Sequence, residues 1–152
     1  MKLSTKGRYG LRAIIDLARY SENEPVSISS IAMRQGISER YLEQIVALLK
    51  KAGLVKSIRG ASGGYVLAKD MQEISVGDVL RALEGSLEPV RCAAYYSEEG
   101  CTSSDGCVTK YVWQKINESI NRTVDEMMLK ELVEESRKVN PEGGCLSSQC
   151  EN

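Results

Sequence analysis

Five cysteines, all beyond residue 91, and the absence of any histidine bound the chemistry open to this chain. Cys92, Cys101 and Cys107 are separated by eight and then five residues in a polar, glycine-containing stretch. Such a loop can fold round a metal centre, and thiolates are the standard ligands of iron–sulfur clusters. Three thiols equally suit zinc or redox sensing, so the spacing leaves those readings open. In a reducing compartment, clustered cysteines favour metal or redox chemistry over structural disulfides. Without histidine, Cys/His zinc fingers, Ser-His-Asp triads and the usual Cys-His nucleophiles are excluded. No nucleophile–base pair and no phosphate-cradling loop that opens a helix is present, so an enzyme is not expected. Gly60-Ala61-Ser62-Gly63-Gly64 joins two strand-like segments and reads as a hairpin turn, not a dinucleotide fingerprint. Cys145 and Cys150 flank Leu-Ser-Ser-Gln in a Gly/Ser-rich tail and read as thiols on a solvated tether.

A second group of residues can read nucleic acid. On a helix after Ser38, Leu42, Ile45, Val46 and Leu49 form an apolar stripe, which turns Arg40, Gln44, Ala47 and Lys51 outward with Glu43 at their flank. Arginine can read guanine, glutamine adenine, and a glutamate can accept from the cytosine amino group. Arg40 and Gln44 sit near the helix start, where recognition helices reach base edges. Ser38 can bind phosphate through its hydroxyl and the free N–H groups beside it. Lys56 and Arg59 flank the glycine-rich turn, and an arginine at such a tip can enter a narrow minor groove. The candidate DNA contacts are Lys2, Ser38, Arg40, Tyr41, Glu43, Gln44, Arg59 and Gly60.

The elements that must position these groups follow from pattern. Leu11, Ile14, Ile15 and Ala18 predict a helix over 8–20. Ser27 or Ser29 can cap a short helix ending near Gln35, and Gly36 permits the turn into the helix from Ser38 to Ala52, stopped by Gly53. Leu54–Arg59 and Tyr65–Leu67 form a hairpin. Ser75 with Asp78 resembles a capping box for a helix along Val76, Val79, Leu80 and Leu83, stopped by Gly85. A longer helix is expected over 108–125, with Val112 or Trp113, Ile116, Ile120 and Val124 along one side, and a short one over 127–136. From Asn140 onward disorder is expected. The chain is therefore mainly α: a winged helix-turn-helix with a two-stranded wing over 1–85, a cysteine-bearing loop over 86–107, a long dimerisation helix and a short final helix over 108–136, and a tail over 137–152.

Charge agrees with that division. Residues 1–70 carry twelve Lys/Arg and six Asp/Glu, a net of +6, whereas residues 71–152 carry eight and fifteen, a net of −7. A basic half joined to an acidic half fits one half that meets a polyanion. The longest unbroken apolar run is Ile45–Leu49, far short of the ~18 residues of a membrane span. The N-terminal segment has charge but no apolar stretch of a secretory signal, so no membrane association is expected and the expected location is the cytosol.

Three stretches, LSTKGRYGLRAIIDLA (3–18), RQGISERYLEQIVALLKKAGLVKSIRGASGGYVLAKD (34–70) and ISVGDVLRALEG (74–85), together with Cys92, Cys101, Cys107 and the helix containing Trp113, resemble the IscR-type regulators of the Rrf-two superfamily. The resemblance runs to about Leu132-Val133. It implies a homodimeric winged-helix repressor or activator, bound to a pseudo-palindromic double-stranded DNA operator, with a long crossed dimerisation helix. It also implies a 2Fe–2S cluster on the three loop cysteines and control of iron–sulfur assembly genes. Residues matching Ser38, Gln44 and Arg59 touch DNA in that family, and one matching Glu43 gates which promoters are read with and without cluster. The sequence departs from the family at the fourth ligand. Lys110 stands where a histidine is common, and Arg8 stands near where some relatives supply a carboxylate from the partner chain. Glu98, Glu99, Asp105, a residue of the other subunit, a water or a tail cysteine remain as candidates. Cysteine-metabolism repressors of the same superfamily look similar in the wing but generally lack the three loop cysteines. They carry the alternative of an iron-free regulator sensing thiol oxidation, zinc or a protein partner. Nitric oxide acting on the cluster is a further possible signal.

Overall fold

The computed structural model describes residues 3–91 and 106–144. Among these, six helices and one antiparallel hairpin follow in order: α1 (Thr5–Tyr20), α2 (Ile28–Gln35), α3 (Glu39–Lys51), β1 (Val55–Ile58), β2 (Gly64–Leu67), α4 (Val76–Glu84), α5 (Val108–Glu126) and α6 (Leu129–Val139). The mainly helical winged helix-turn-helix expected from sequence is present.

Local chemistry explains the boundaries. The Ser27, Ser38 and Ser75 side chains each accept a backbone N–H at the start of α2, α3 and α4, and the Asp78 carboxylate accepts in turn from Ser75 N, which completes the capping box. Gly36 takes φ +63 and ends α2 in the left-handed conformation that the tight turn requires. The start of α1 differs from expectation. It begins at Thr5 rather than residue 8, because Ser4 caps it locally and Glu84, far away on α4, completes the cap. One oxygen of Glu84 accepts from Ser4 N and Gly7 N, each at 3.0 Å, and from the Ser4 hydroxyl. A carboxylate at a helix N-terminus is favoured by the free N–H groups and the helix dipole. A side chain at Gly7 would collide with that carboxylate.

Ile14, Leu17, Ile31, Leu42, Ile45, Leu49, Val55, Ile74 and Val79 form one buried core. Leu129 and Val133 of α6 join it. The α5–α6 link is pinned by backbone pairing: Val76 N donates to Met127 O, and Leu129 N to Ile74 O. A smaller cluster of Val76, Leu80 and Leu87 is covered by Ile120 and Val124 from the C-terminal half of α5. Arg81 locks that half onto α4, donating to Asp125 at 2.7 and 2.8 Å and to Asn121 at 2.7 Å. The final helix runs about three residues beyond its expected end. Residues 140–144 form a turn in which Gly144 N donates to the Tyr20 hydroxyl. The remainder of the expected disordered tail lies outside the described residues.

Candidate nucleic-acid interface and cysteine site

The candidate base-reading face is built on α3. Leu42, Ile45, Val46 and Leu49 are buried, while Arg40, Glu43, Gln44, Ala47 and Lys51 are exposed on the opposite side, as the sequence pattern requires. Ser38 is exposed at the helix start, its oxygen accepting from Tyr41 N at 3.3 Å, which leaves its hydroxyl proton for an acceptor outside. Tyr41 is half-buried rather than free. Its ring meets Tyr9 of α1 edge-on, centroids 6.3 Å apart, and Arg12 lies over the Tyr9 ring at 5.4 Å. Tyr41 thus orients α3 on α1, a role its sequence position does not reveal.

The turn between α2 and α3 is held by a polar network that the sequence does not display. Asp16, buried on α1, accepts from Arg34 Nη2 at 2.6 Å and Nε at 3.0 Å, and from Gln35 Nε2 at 2.8 Å. Arg34 stacks on Tyr20 at 4.1 Å. Arg12 donates to the Gln35 side chain at 3.1 Å and to its carbonyl at 2.8 Å. The carboxylate is fully partnered, as a buried charge must be. The only sequence signal was an acidic residue on the apolar side of an amphipathic helix.

The wing is anchored at its base and exposed at its tip. Lys50 on α3 donates to Ser57 on β1 at 3.0 Å. Val26 and Tyr65 exchange both backbone hydrogen bonds, at 2.8 and 2.9 Å, and a side chain at Gly64 would strike the Val26 backbone. Lys56, Arg59 and Gly60 are exposed, and Gly60 takes φ +120, open to few residues besides glycine. Arg59 therefore projects from the tip of a hairpin whose base is fixed. Lys2 lies outside the described residues.

Of the three loop cysteines, Cys92 and Cys101 also lie outside the described residues, as do Glu98, Glu99, Asp105, Cys145 and Cys150. Cys107 is described. It is exposed and occupies the N-cap of α5. Its sulfur meets the Thr109 hydroxyl at 3.0 Å. That contact first, then the backbone N–H groups of Lys110 and Thr109, hold the thiol below its ordinary pKa. A thiol drawn toward thiolate suits a metal ligand. Lys110 is three residues on and half-buried. Among the described residues no cluster of three acidic, cysteine or histidine side chains forms a metal-binding group.

The first half of α5, which follows Cys107, carries an uncovered apolar stripe. Val108 is 81% exposed, Tyr111 63%, Val112 47% and Ile116 39%. No helix among the described residues is long and apolar enough to cross a membrane.

Comparison with known proteins agrees with this architecture. The Rrf2 family, described as iron-dependent transcriptional regulators, matches residues 3–135. The chain is 44% identical over 133 residues to the HTH-type transcriptional regulator IscR of Serratia proteamaculans, covering 88% of this chain and 79% of that one. The solved structure of T. potens IscR aligns with a TM-score of 0.73 at 46% identity, over 92% of this chain and 91% of that chain. That of CymR, the global cysteine regulator of B. subtilis, aligns with a TM-score of 0.73 at 41% identity, over 89% and 98%. These relatives are transcription regulators rather than enzymes, and this chain belongs to the Rrf2 family of DNA-binding transcriptional regulators.

Proposed function

We propose that this regulator senses iron–sulfur cluster status through a 2Fe–2S cluster on Cys92, Cys101 and Cys107 and controls genes of cluster assembly, acting in the cytoplasm. The observation that carries this reading is the placement of Cys107. It sits with a depressed thiol pKa at the start of α5, at the junction between the cysteine loop and the uncovered stripe. The similarity to IscR proteins supports it. When bound, the cluster supplies an anchor whose presence depends on iron supply and oxidation state. The chain's own residues do the rest. The Thr109 hydroxyl and the first N–H groups of α5 favour the thiolate of Cys107. A lysine ammonium offers three donors and no lone pair, which makes Lys110 a poor cluster ligand and points to a fourth ligand elsewhere.

The stripe of Val108, Tyr111, Val112 and Ile116 pairs with its twin in a homodimer. Two recognition helices then read a pseudo-palindrome with half-sites about 34 Å apart. Ser38 and Lys2 hold phosphates. Arg40, Gln44 and Glu43 face base edges from α3, supported by Tyr41. Arg59, with Gly60 giving close approach, enters the minor groove.

The likeness to CymR favours a second reading, an iron-free regulator that answers thiol oxidation, zinc or a protein partner. Purification without oxygen, followed by visible absorption and iron and sulfide analysis, separates the two. The cluster reading expects ~2 iron and ~2 sulfide per chain with charge-transfer bands in the visible, the composition of a 2Fe–2S centre. Alanine at Cys92, Cys101 or Cys107 removes them, and joint replacement of Cys145 and Cys150 leaves them intact. A colourless protein without iron, or one holding zinc, supports the second reading. Loss of the bands in the tail variant assigns the fourth ligand to the tail.

A further inference from the structure

A cavity of about 280 Å³ opens between α1, the C-terminal end of α2 and α6. Ile15 and Val139 supply apolar lining, and Arg12, Arg19, Asp16 and Glu135 bring charge to it. Both carboxylates already have cations: Asp16 pairs with Arg34, and Glu135 with Lys138. The two guanidiniums have only neutral acceptors. Arg12 spends Nε and Nη2 on the side-chain and backbone oxygens of Gln35, leaving Nη1 without a partner among the described residues. Arg19 donates to the Ser136 carbonyl and hydroxyl at 3.1 Å and to the Asn140 carbonyl at 2.6 Å. Two half-buried positive charges thus line one cavity with no carboxylate of their own among the described residues. A partly desolvated cation is favoured by an anionic partner, and the guanidinium fork matches a carboxylate.

We propose that this cavity is a binding site for a small organic anion, its carboxylate on Arg12 beside Arg19 and its apolar part against Ile15 and Val139. The volume lies between an engineered benzene-sized cavity and a drug-sized pocket, which sets the ligand at about ten non-hydrogen atoms. The site has a route to DNA reading. Arg12 grips Gln35, the last residue of α2, and the next residue is the left-handed Gly36 that turns the chain into α3. A ligand that draws on Arg12 alters the hold on that turn and so the seating of α3. The regulator then has a second input, separate from the cysteine loop. Binding itself is measured without DNA, so its failure is distinct from failure of the cluster reading.

The shared chemistry is a carboxylate, and a second source is the chain's own Glu151, beyond Gly144 at the cavity wall. The test titrates full-length protein with hexanoate and with neutral hexanamide at matched ionic strength. The methyl NMR signals of Ile15 and Val139 report binding. Hexanoate should shift both signals saturably in the millimolar range, with hexanamide at least about tenfold weaker because it lacks the charge that Arg12 pairs. Arg12→Gln should lose the preference for hexanoate. Val139→Trp, at an 84% exposed position on the rim, should block binding without disturbing the core. Glu151→Gln should leave the affinity unchanged. Equal affinity for the two probes, no saturable shift, or full binding by folded Arg12→Gln overturns the site. Tighter hexanoate binding by Glu151→Gln assigns the anion to the chain's own tail and overturns the free-ligand reading. Operator affinity should change at least about threefold with hexanoate and not with hexanamide, a coupling within the ordinary allosteric range. An unchanged affinity overturns the link to α3.

Discussion

Glu43 places a carboxylate on the exposed face of α3 proposed to meet DNA, where phosphates make it unfavourable unless it finds a donor such as the cytosine amino group. It can therefore reject sites that leave it unpaired. Glu43→Ala should raise the affinity of cluster-free protein for promoters that otherwise need the cluster and change the holo protein less. Titrating both forms, wild type and variant, at one salt concentration checks this; an equal change in both forms removes Glu43 as a gate. Its neighbours read in the opposite sense. Gln44→Ala and Arg59→Ala should each weaken operator binding by about 1–3 kcal/mol if the side chain reads a base, with the loss confined to matching positions of the site. Replacing Lys2 should act evenly across sequences and flatten the salt dependence. A quantitative footprint over single-base operator variants distinguishes these patterns. At this scale the exposed face of α3 was legible in the sequence, because apolar spacing fixes which side turns inward. The Asp16–Arg34–Gln35 network was not, since nothing local indicates that three polar side chains on two helices meet.

Among the elements, α5 has two halves with different surroundings. Its C-terminal half is held to α4 by Ile120, Val124 and the bidentate Arg81–Asp125 pair. Its N-terminal half presents Val108, Tyr111, Val112 and Ile116 to solvent. At 1.5 Å per residue, its 19 residues span about 28 Å, long enough to lie across a twin. Ile116→Glu should convert the protein to a monomer, because it places a charge in the middle of that stripe, while leaving the main core intact. Sizing by sedimentation and thermal unfolding read the two effects separately; a dimer that survives Ile116→Glu with unchanged dissociation constant rejects α5 as the seam. Periodicity predicted this helix to within a residue. It could not say which half finds cover within the chain, because an apolar stripe specifies burial and not a partner. The same limit applies to α6, whose Leu129 and Val133 enter the main core after a backbone bridge to the segment before α4. The start of α1 was misplaced for a related reason: half its cap comes from Glu84.

For the whole molecule, the charge split seen in the sequence separates a basic recognition half from an acidic half that contains the cysteine loop and both terminal helices. The two halves are joined at definite points. Glu84, one residue before the stop that ends α4, holds the N-terminus of α1, and Leu129 and Val133 of α6 enter the core built on α1 and α3. A change in the loop between α4 and α5 therefore has a contact at its α4 end, Glu84 on the start of α1, through which to reach the basic half. Operator affinity of one anaerobic preparation, before and after cluster removal by chelation and at one fixed salt concentration, tests the central claim that DNA reading depends on the cluster. The account predicts a change of about tenfold at one promoter at least, within the usual range of coupling between sites, and a Cys107→Ala protein that shows the cluster-free value throughout. Equal affinities before and after removal at every promoter would contradict it.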